Sequence, residues 1–216
     1  SIENLQKDID TILSPLKGSY SVYVYDLQTK KELSMNENTI YTAASVNKIP
    51  ILAALYYLSG KGEIDLEKQI TLQQNDIQDY GSGSIRYDPV GTPYSIKTLA
   101  RLMMEKSDNT AAYFILNFVL TAEKVQKLTD EWGMNQTNIA ENKTSPKDMS
   151  ILLIKMYKGE ITNEALTKEM LGFMDTSDYD DRIPALIPKT VRVYHKTGDE
   201  VGKIHDAGIV SSDKRT

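Results

Sequence analysis

The sequence predicts an α/β protein in which an antiparallel sheet, formed by the N- and C-terminal segments, packs against a central all-helical lobe. Alternating β-type residues occur at the two ends of the chain, and apolar residues at helical spacing fill the middle. The 216 residues, of which 40% are hydrophobic, suffice for one domain with a substantial core. We therefore expect a single domain over residues 1–216, with an α/β part at 1–42 and 175–216 and a helical lobe at 43–174.

The N-terminal segment predicts a helix followed by a β-hairpin. Apolar residues at helical spacing cover residues 2–13, and Pro15 and Gly18 end that run. The segment SYSVYVYDL, residues 19–27, alternates as a strand does, and a second short strand is expected at residues 33–35 after the turn LQTKKE.

The middle of the chain predicts a series of helices. The most apolar segment, residues 43–59, indicates a buried helix that tolerates Pro50 only near its first turn. Residues 75–95 are rich in Gly, Asp, Ser and Pro, which indicates a loop. Its length suggests that it forms one wall of a functional site and does not merely connect two elements. The further helices are expected at residues 95–106, 108–119, 122–132, 145–158 and 163–174.

The C-terminal segment returns to β-structure, and the composition narrows the function. Strands are expected at residues 190–196 and 204–211, with a turn at 198–202. A net charge of -5 argues against nucleic acid as a partner, and no stretch of 18 apolar residues exists to span a membrane. The chain has no Cys and two His, which excludes thiolate metal sites and gives little basis for a zinc site.

One serine has the setting of an activated nucleophile. The chain contains no G-x-S-x-G elbow, so the alternative is a serine beside a lysine that its surroundings keep neutral. S-x-x-K occurs three times, beginning at Ser14, Ser45 and Ser211, but only Ser45 opens a buried apolar helix. Lys48, three residues on, shares a helix face with Ser45, and burial would lower the pKa of its amine.

Two further triplets strengthen this interpretation. S-D-N lies at residues 107–109, between two predicted helices, and K-T-G lies at residues 196–198, at the end of a predicted strand. Each triplet is expected by chance in roughly one in twenty to thirty chains of this size. Their joint occurrence in this order is far rarer.

The ordered set S-x-x-K, S-D-N and K-T-G resembles the signature of penicillin-recognising serine hydrolases, and S-D-N points to the class A β-lactamase branch. The resemblance extends over nearly the whole chain, through TAASVNKIPIL, GSGSI, LMMEKSDNTAAYFIL, DRIPALIP and HDAGIV. It implies acyl transfer through an acyl-serine intermediate without a metal or cofactor. It also implies a secreted or cell-envelope protein. The N-terminus lacks the layout of a signal peptide, so we expect that any leader has been removed.

The resemblance assigns roles to residues of this chain. Ser45 would attack the carbonyl of a β-lactam or an acyl-D-Ala-D-Ala peptide, with Lys48 as general base or proton relay. Ser107 would pass a proton to the leaving nitrogen, beside Lys196. The substrate-binding set would comprise Asn109, Thr197, Gly198 and Asp199, and the backbone N–H groups of Ser45 and Asp199 would form the oxyanion hole.

The deacylating base of the family is in doubt here. The segment at residues 133–149 looks shortened by about a dozen residues against the family's long omega-shaped loop. Glu141 is its only carboxylate before Asp148, and it is either the deacylating base or a solvated loop residue. We therefore expect slow deacylation.

Two more departures bear on substrates and partners. Asp199 and Glu200 follow K-T-G, where they oppose an anionic ligand, and the next strand carries no Arg. Family members continue after HDAGIV with a strand and a helix, so a second chain or segment is expected to complete the sheet. A β-lactamase-like hydrolase, a D,D-peptidase and a binding module for penicillin or wall fragments remain as alternatives.

Overall fold

The computed structural model describes residues 2–212, and its core surrounds one helix without a polar face. This helix, α2 (Lys48–Gly60), has the sequence KIPILAALYYLSG, and ten of its residues are buried. Pro50 lies in its first turn, as expected, where no intrahelical N–H is needed. Three helices pack around α2: α3 (Ile96–Glu105), α5 (Ala122–Glu131) and α7 (Glu164–Gly172).

The N-terminal segment forms the predicted helix and hairpin. Helix α1 spans Ile2–Leu13, and strands β1 (Val22–Tyr25) and β2 (Glu32–Met35) pair antiparallel with Tyr25 opposite Glu32. Helix α6 (Pro146–Tyr157) packs against strand β1 of this hairpin.

The central part of the chain contains short strands as well as helices. Strand β3 (Tyr41–Thr42) pairs with β6 (Lys143–Thr144), and β4 (Gln69–Thr71) pairs with β5 (Pro93–Ser95). The predicted helix at 108–119 is α4 (Asn109–Phe114), followed by a π-helical segment at Ile115–Leu120. Short 3₁₀ turns lie at Ala44–Asn47, Gln74–Asp76, Ile85–Tyr87 and Ile183–Leu186.

The C-terminal hairpin is longer than the sequence predicts. Strands β7 (Arg192–Glu200) and β8 (Lys203–Ser211) pair antiparallel along their whole length. The predicted turn at 198–202 is wrong in its start, because pairing with β8 carries β7 through Gly198 as far as Glu200. The turn is confined to two residues, of which Gly202 supplies the positive φ of 75°.

An apolar groove separates the two hairpins. Within residues 2–212, β1 pairs only with β2 and β8 pairs only with β7, although α6 packs against both β1 and β8. A cavity of about 1230 Å³ lies between them, with β1 and β8 as walls and Met149 and Leu153 of α6 among its lining residues. In the described part of the chain, no helix combines the length and apolarity needed to cross a membrane.

Candidate active site

Ser45 and Lys48 are brought together by the start of α2. Ser45 lies in the 3₁₀ turn Ala44–Asn47, which leads directly into the helix, and Lys48 is the first helical residue. One turn of helix therefore separates the two residues. The Lys48 Nζ lies 3.0 Å from the Ser45 Oγ, which is the contact that the S-x-x-K spacing predicts.

The amine of Lys48 is enclosed by acceptor groups. Its Nζ donates to the backbone carbonyl oxygen of Ser107 at 2.6 Å and to Asn109 Oδ1 at 2.8 Å. The side chain is buried, and this burial, reinforced by the charge of Lys196, lowers the pKa of Lys48 well below its usual range despite the opposing charge of Asp108. A neutral amine has two N–H groups and one lone pair. Because both N–H groups are used by acceptors, the lone pair remains for a hydroxyl hydrogen.

The S-D-N segment presents its first and third residues to Lys48. Ser107 lies between α3 and α4 and adopts a left-handed backbone with φ of 51°, which is uncommon for a residue other than glycine. Its buried Oγ lies 3.2 Å from the Lys48 Nζ. Asp108 caps α4 by accepting from the Ala111 N–H at 3.0 Å.

Asp108 also fixes the wall formed by the long loop at 75–95. Its Oδ2 accepts the backbone N–H groups of Ser84 at 2.7 Å and Ile85 at 2.9 Å, as expected for a structural carboxylate. Gly83 permits this close contact, because a Cβ atom there would lie 2.8 Å from the Cα of Asp108. Asn109 is tied to the same loop through its Nδ2, which donates to the Tyr80 carbonyl at 3.1 Å.

The K-T-G segment of β7 lies against the turn that carries Ser45. A Cβ atom on Gly198 would lie 2.8 Å from the Ala43 carbonyl oxygen and 3.0 Å from the Val46 nitrogen, so only glycine fits without a shift. Lys196 is fully buried and its Nζ donates to the Thr197 carbonyl at 2.9 Å. Burial lowers the pKa of Lys196 to about 8.

These segments surround a small cavity at the Ser45 hydroxyl. Its lining residues are Ser45, Ser82, Ser107, Tyr179, Thr197 and Asp199. The structure therefore brings together the predicted residues from three distant parts of the sequence. In the described part of the chain, no group of three or more His, Asp or Glu is arranged to hold a metal ion.

Three residues of this region were not predicted from the sequence. Ser82 comes from the long loop, and Tyr179 and Arg182 come from the irregular segment before β7. The ring of Tyr179 lies below the Lys196 Nζ at 5.9 Å from its centroid, while it also lines the cavity. The available signals were the resemblance segments GSGSI, which contains Ser82, and DRIPALIP, which contains Arg182. Tyr179 lies in the turn-rich segment just upstream of K-T-G.

The two carboxylates after K-T-G have cationic partners. Asp199 Oδ1 accepts from Arg182 Nη2 at 2.5 Å, and Glu200 Oε2 accepts from Lys203 Nζ at 3.0 Å. The strand after K-T-G carries no Arg, and the guanidinium comes instead from the segment before β7. Both carboxylates are thus balanced locally by a cation.

Glu141 lies outside the cavity lining. Its side chain is 56% exposed, and its Oε2 accepts from Lys143 Nζ at 2.5 Å. The backbone beside it is anchored near Ser45, because the Asn142 carbonyl accepts the Ala43 N–H at 2.8 Å. The neighbouring strand β6 is therefore close to the nucleophile turn, whereas the Glu141 carboxylate is directed to a surface lysine.

The fold and the serine–lysine arrangement define an active-site serine hydrolase of the β-lactamase and transpeptidase type. The model of the Beta-lactamase enzyme family matches residues 4–216. The chain belongs to that family, whose members act on the β-lactam amide bond.

The chain is similar to curated β-lactamases along most of its length. It is 24% identical over 235 residues to Beta-lactamase VEB-1 of Pseudomonas aeruginosa, covering 97% of this chain and 78% of that protein. It is likewise 24% identical over 221 residues to Beta-lactamase ROB-1 of Haemophilus influenzae, covering 95% of this chain and 71% of that protein.

Solved structures confirm the fold. The structure of PBP-A superposes with a TM-score of 0.90 at 28% identity, covering 98% of this chain and 83% of that one. A β-lactamase from Sphaerobacter thermophilus superposes with the same TM-score at 21% identity, covering 97% of this chain and 83% of that one. The predicted α/β class is therefore correct.

Proposed function

We propose that Ser45 is the nucleophile of a β-lactamase-like acylation and that Lys48 is its general base. The observation that carries this proposal is the buried Lys48 amine, which lies 3.0 Å from the Ser45 Oγ and donates to two further acceptor oxygens. In its neutral form this amine accepts the hydroxyl proton as Ser45 Oγ bonds to the substrate carbonyl carbon. A tetrahedral oxyanion forms, and it collapses to the acyl-serine as the amide C–N bond breaks.

The other predicted residues have complementary roles in this proposal. Ser107 Oγ, 3.2 Å from the Lys48 Nζ, relays the proton from Lys48 to the leaving nitrogen. The Thr197 hydroxyl and the charge of Lys196 attract a substrate carboxylate. Asn109 binds the acyl side chain, and the backbone N–H groups of Ser45 and Asp199 stabilise the oxyanion. The close approach at Gly198 supports this last role, because it sets the K-T-G strand directly against the Ser45 turn.

We also propose that deacylation is slow. The expected shortening of the segment at residues 133–149 would support this proposal, and Glu141 is exposed, paired with Lys143 and absent from the cavity lining. Asp199 is the carboxylate among the lining residues, and Arg182 holds it. Without a base that activates water, the ester persists. A leucine-to-glutamate mutant of PBP-A was solved as an acyl-enzyme complex with penicillin G, and this chain is 28% identical to it.

A D,D-peptidase is the second candidate, because the same groups would acylate on a D-Ala-D-Ala peptide. Release of D-Ala from such a peptide by the wild-type chain, and its loss in Ser45→Ala, would support this candidate over a β-lactamase.

Time-resolved labelling tests the acylation proposal. The chain is incubated with a fluorescent penicillin, quenched at intervals and analysed by intact mass. We expect an adduct that persists on Ser45 and is absent from Ser45→Ala, and we expect Lys48→Met to slow its formation. Rapid decay would contradict slow deacylation, and labelling unchanged in Lys48→Met would exclude Lys48 as the base. Reversible binding without any adduct would favour a binding module for penicillin or wall fragments.

We propose a location outside the cytoplasmic membrane and an additional β-strand in the apolar groove. The family resemblance supports the location, because its substrates belong to the cell envelope. Among the described residues, β1 and β8 each have a strand partner on one side only, and this supports the added strand, which a second chain or a further segment would supply. Light scattering tests the first source: a mass near 24.3 kDa, with strong binding of an apolar dye, would contradict occupancy by a second copy.

A further inference from the structure

Asp199 sits at the junction between the Ser45 cavity and a cation supplied by the chain. It follows K-T-G on β7, lines the cavity together with Ser45 and Thr197, and binds Arg182 Nη2 through its Oδ1 at 2.5 Å. The guanidinium is anchored on its other branch, where Nη1 donates to the His205 carbonyl on β8 at 2.7 Å. Arg182 is thus fixed in place, with Asp199 as the acidic partner that lines the cavity and with Asp181 Oδ1 at 3.9 Å from its Nε.

A fixed guanidinium beside a cavity is a good binding group for carboxylates. Its planar fork matches the two oxygens of a carboxylate, and it remains charged at every working pH. The Arg182 side chain is only 20% exposed, so its field is less screened than that of a surface residue. In this chain the matching carboxylate is Asp199, which competes with any anionic substrate group that approaches the same end of the cavity.

The charge of Lys196, which also attracts a substrate carboxylate, is present with or without Asp199. Lys196 is fully buried beneath Thr197, and the neighbouring Asp206 is held by His195 at 2.9 Å. Glu200, the next carboxylate on β7, is bound to Lys203 and is absent from the cavity lining. The charge at the K-T-G end therefore depends on whether Asp199 is present.

We propose that Asp199 determines substrate specificity by occupying Arg182, so that the site favours acyl donors that are uncharged at this end, such as amides or esters, over donors with a free carboxylate. This inference rests on the acylation proposed above. It assigns to the Asp199 side chain a role distinct from that of its backbone N–H group, and it makes Arg182 a latent carboxylate site.

The test compares two probes that differ only in this charge. One is a penicillin with its free carboxylate, and the other is the methyl ester of the same penicillin. The second-order acylation rate constants of both are measured by intact mass at pH 6.5, where Lys196 stays protonated. In Asp199→Asn, we expect the ratio of the free acid to the ester to rise about fivefold, since one nearby negative charge is removed. Glu200→Gln is the matched control, and its ratio should stay at the wild-type value.

Two more variants separate charge from local structure. Arg182→Gln leaves Asp199 unpaired at the cavity, so the same ratio should fall about fivefold, and the double variant with Asp199→Asn should return toward wild type. The rise in Asp199→Asn should also shrink in 1 M salt. Asp199→Ser serves as a second neutral variant if Asp199→Asn does not fold.

The outcomes are distinguishable. A ratio that is unchanged in both neutral variants, or a rise that Glu200→Gln reproduces, would overturn the role of Asp199. Absence of labelling of the wild type by both probes would refute the acylation proposal instead. In that case the reversible affinities of the free acid and the ester are measured by calorimetry. The ratio of the two affinities should show the same rise in Asp199→Asn, and an unchanged ratio would again overturn the inference.

Discussion

The close approach of β7 to the nucleophile turn makes Gly198→Ala a sharp test of the site geometry. The new methyl group would lie 2.8 Å from the Ala43 carbonyl oxygen, 3.0 Å from the Val46 nitrogen and 3.0 Å from its Cγ2. Non-bonded heavy atoms rest at about 3.5–4.0 Å, so the strand and the turn must separate by about 0.5 Å. Two of the three contacts are to backbone atoms, which cannot rotate away.

The structure sets the size of the expected effect. Overpacking of this kind costs about 1–3 kcal/mol, which corresponds to a fall in Tm of about 2–12 °C for a chain of this length. A 1 Å misplacement of reacting groups costs about 100-fold in rate, so a 0.5 Å separation of Thr197 from Ser45 should slow acylation about tenfold. Both effects should appear in the same variant.

The assay is the acylation rate constant with fluorescent penicillin, measured well below every Tm. Gly172→Ala is a neutral control, because nothing lies within 4 Å of a Cβ atom there. Gly208→Ala is a destabilised control, since its Cβ atom would lie 2.5 Å from the Tyr194 carbonyl oxygen in the same hairpin. Acylation by Gly198→Ala within about twofold of wild type would refute the reasoning. Equal slowing in Gly208→Ala would attribute the effect to the hairpin rather than to the contact.

Three further predictions follow from charges and hydrogen bonds. Because burial lowers the pKa of Lys48, the acylation rate should increase as the pH rises through that lowered value. For an anionic penicillin, the rate should decline above about pH 8, where Lys196 loses its proton. A flat profile from pH 5 to 10 would contradict both roles. Burial disfavours the charged form of His195, but hydrogen bonds and attraction to Asp206 and Asp180 outweigh this and raise its pKa above 6.5. The stabilisation of the fold by protonated His195 is complete below about pH 6.5 and is lost as the pH rises through the raised pKa. The Tm of the wild type should therefore exceed that of His195→Gln by less at alkaline pH. A difference in Tm that does not change with pH would contradict this role of His195. Asp108→Asn replaces one of two accepting oxygens by a donor and should destabilise the protein by about 1–3 kcal/mol in urea unfolding. Asp8→Asn, at an exposed position of α1, is the control for the loss of one negative charge.

The sequence was sufficient for the contacts that depend on local spacing. The pair Ser45 and Lys48 follows from helix geometry, and the apolar segment that buries Lys48 is visible in the composition of residues 43–59. The cap on α4 by Asp108 is equally local. By contrast, the contact between Lys48 and Asn109 joins residues 61 positions apart and was not predicted, because the S-D-N resemblance indicated only that both residues belong to the site.

The remainder of the site depends on packing that no local pattern encodes. Arg182 and Tyr179 lie in a segment without helical or strand periodicity, and their positions follow from anchors on β7 and β8. The same is true of the strand that continues through Gly198, where cross-strand pairing overrides the turn preference of glycine. The cationic partners of Asp199 and Glu200 were therefore not predicted, although the two carboxylates themselves were noted.

The dependence of Lys48 on burial makes the reactivity of Ser45 a property of the native state alone. An unfolded chain exposes that lysine to water, restores its ordinary protonation and separates it from Ser107 and Asn109. A covalent penicillin would consequently label only folded molecules. If acylation is fast and persistent, the labelled fraction across a urea titration would count native chains directly, and the midpoint would report the unfolding free energy without any spectroscopic probe.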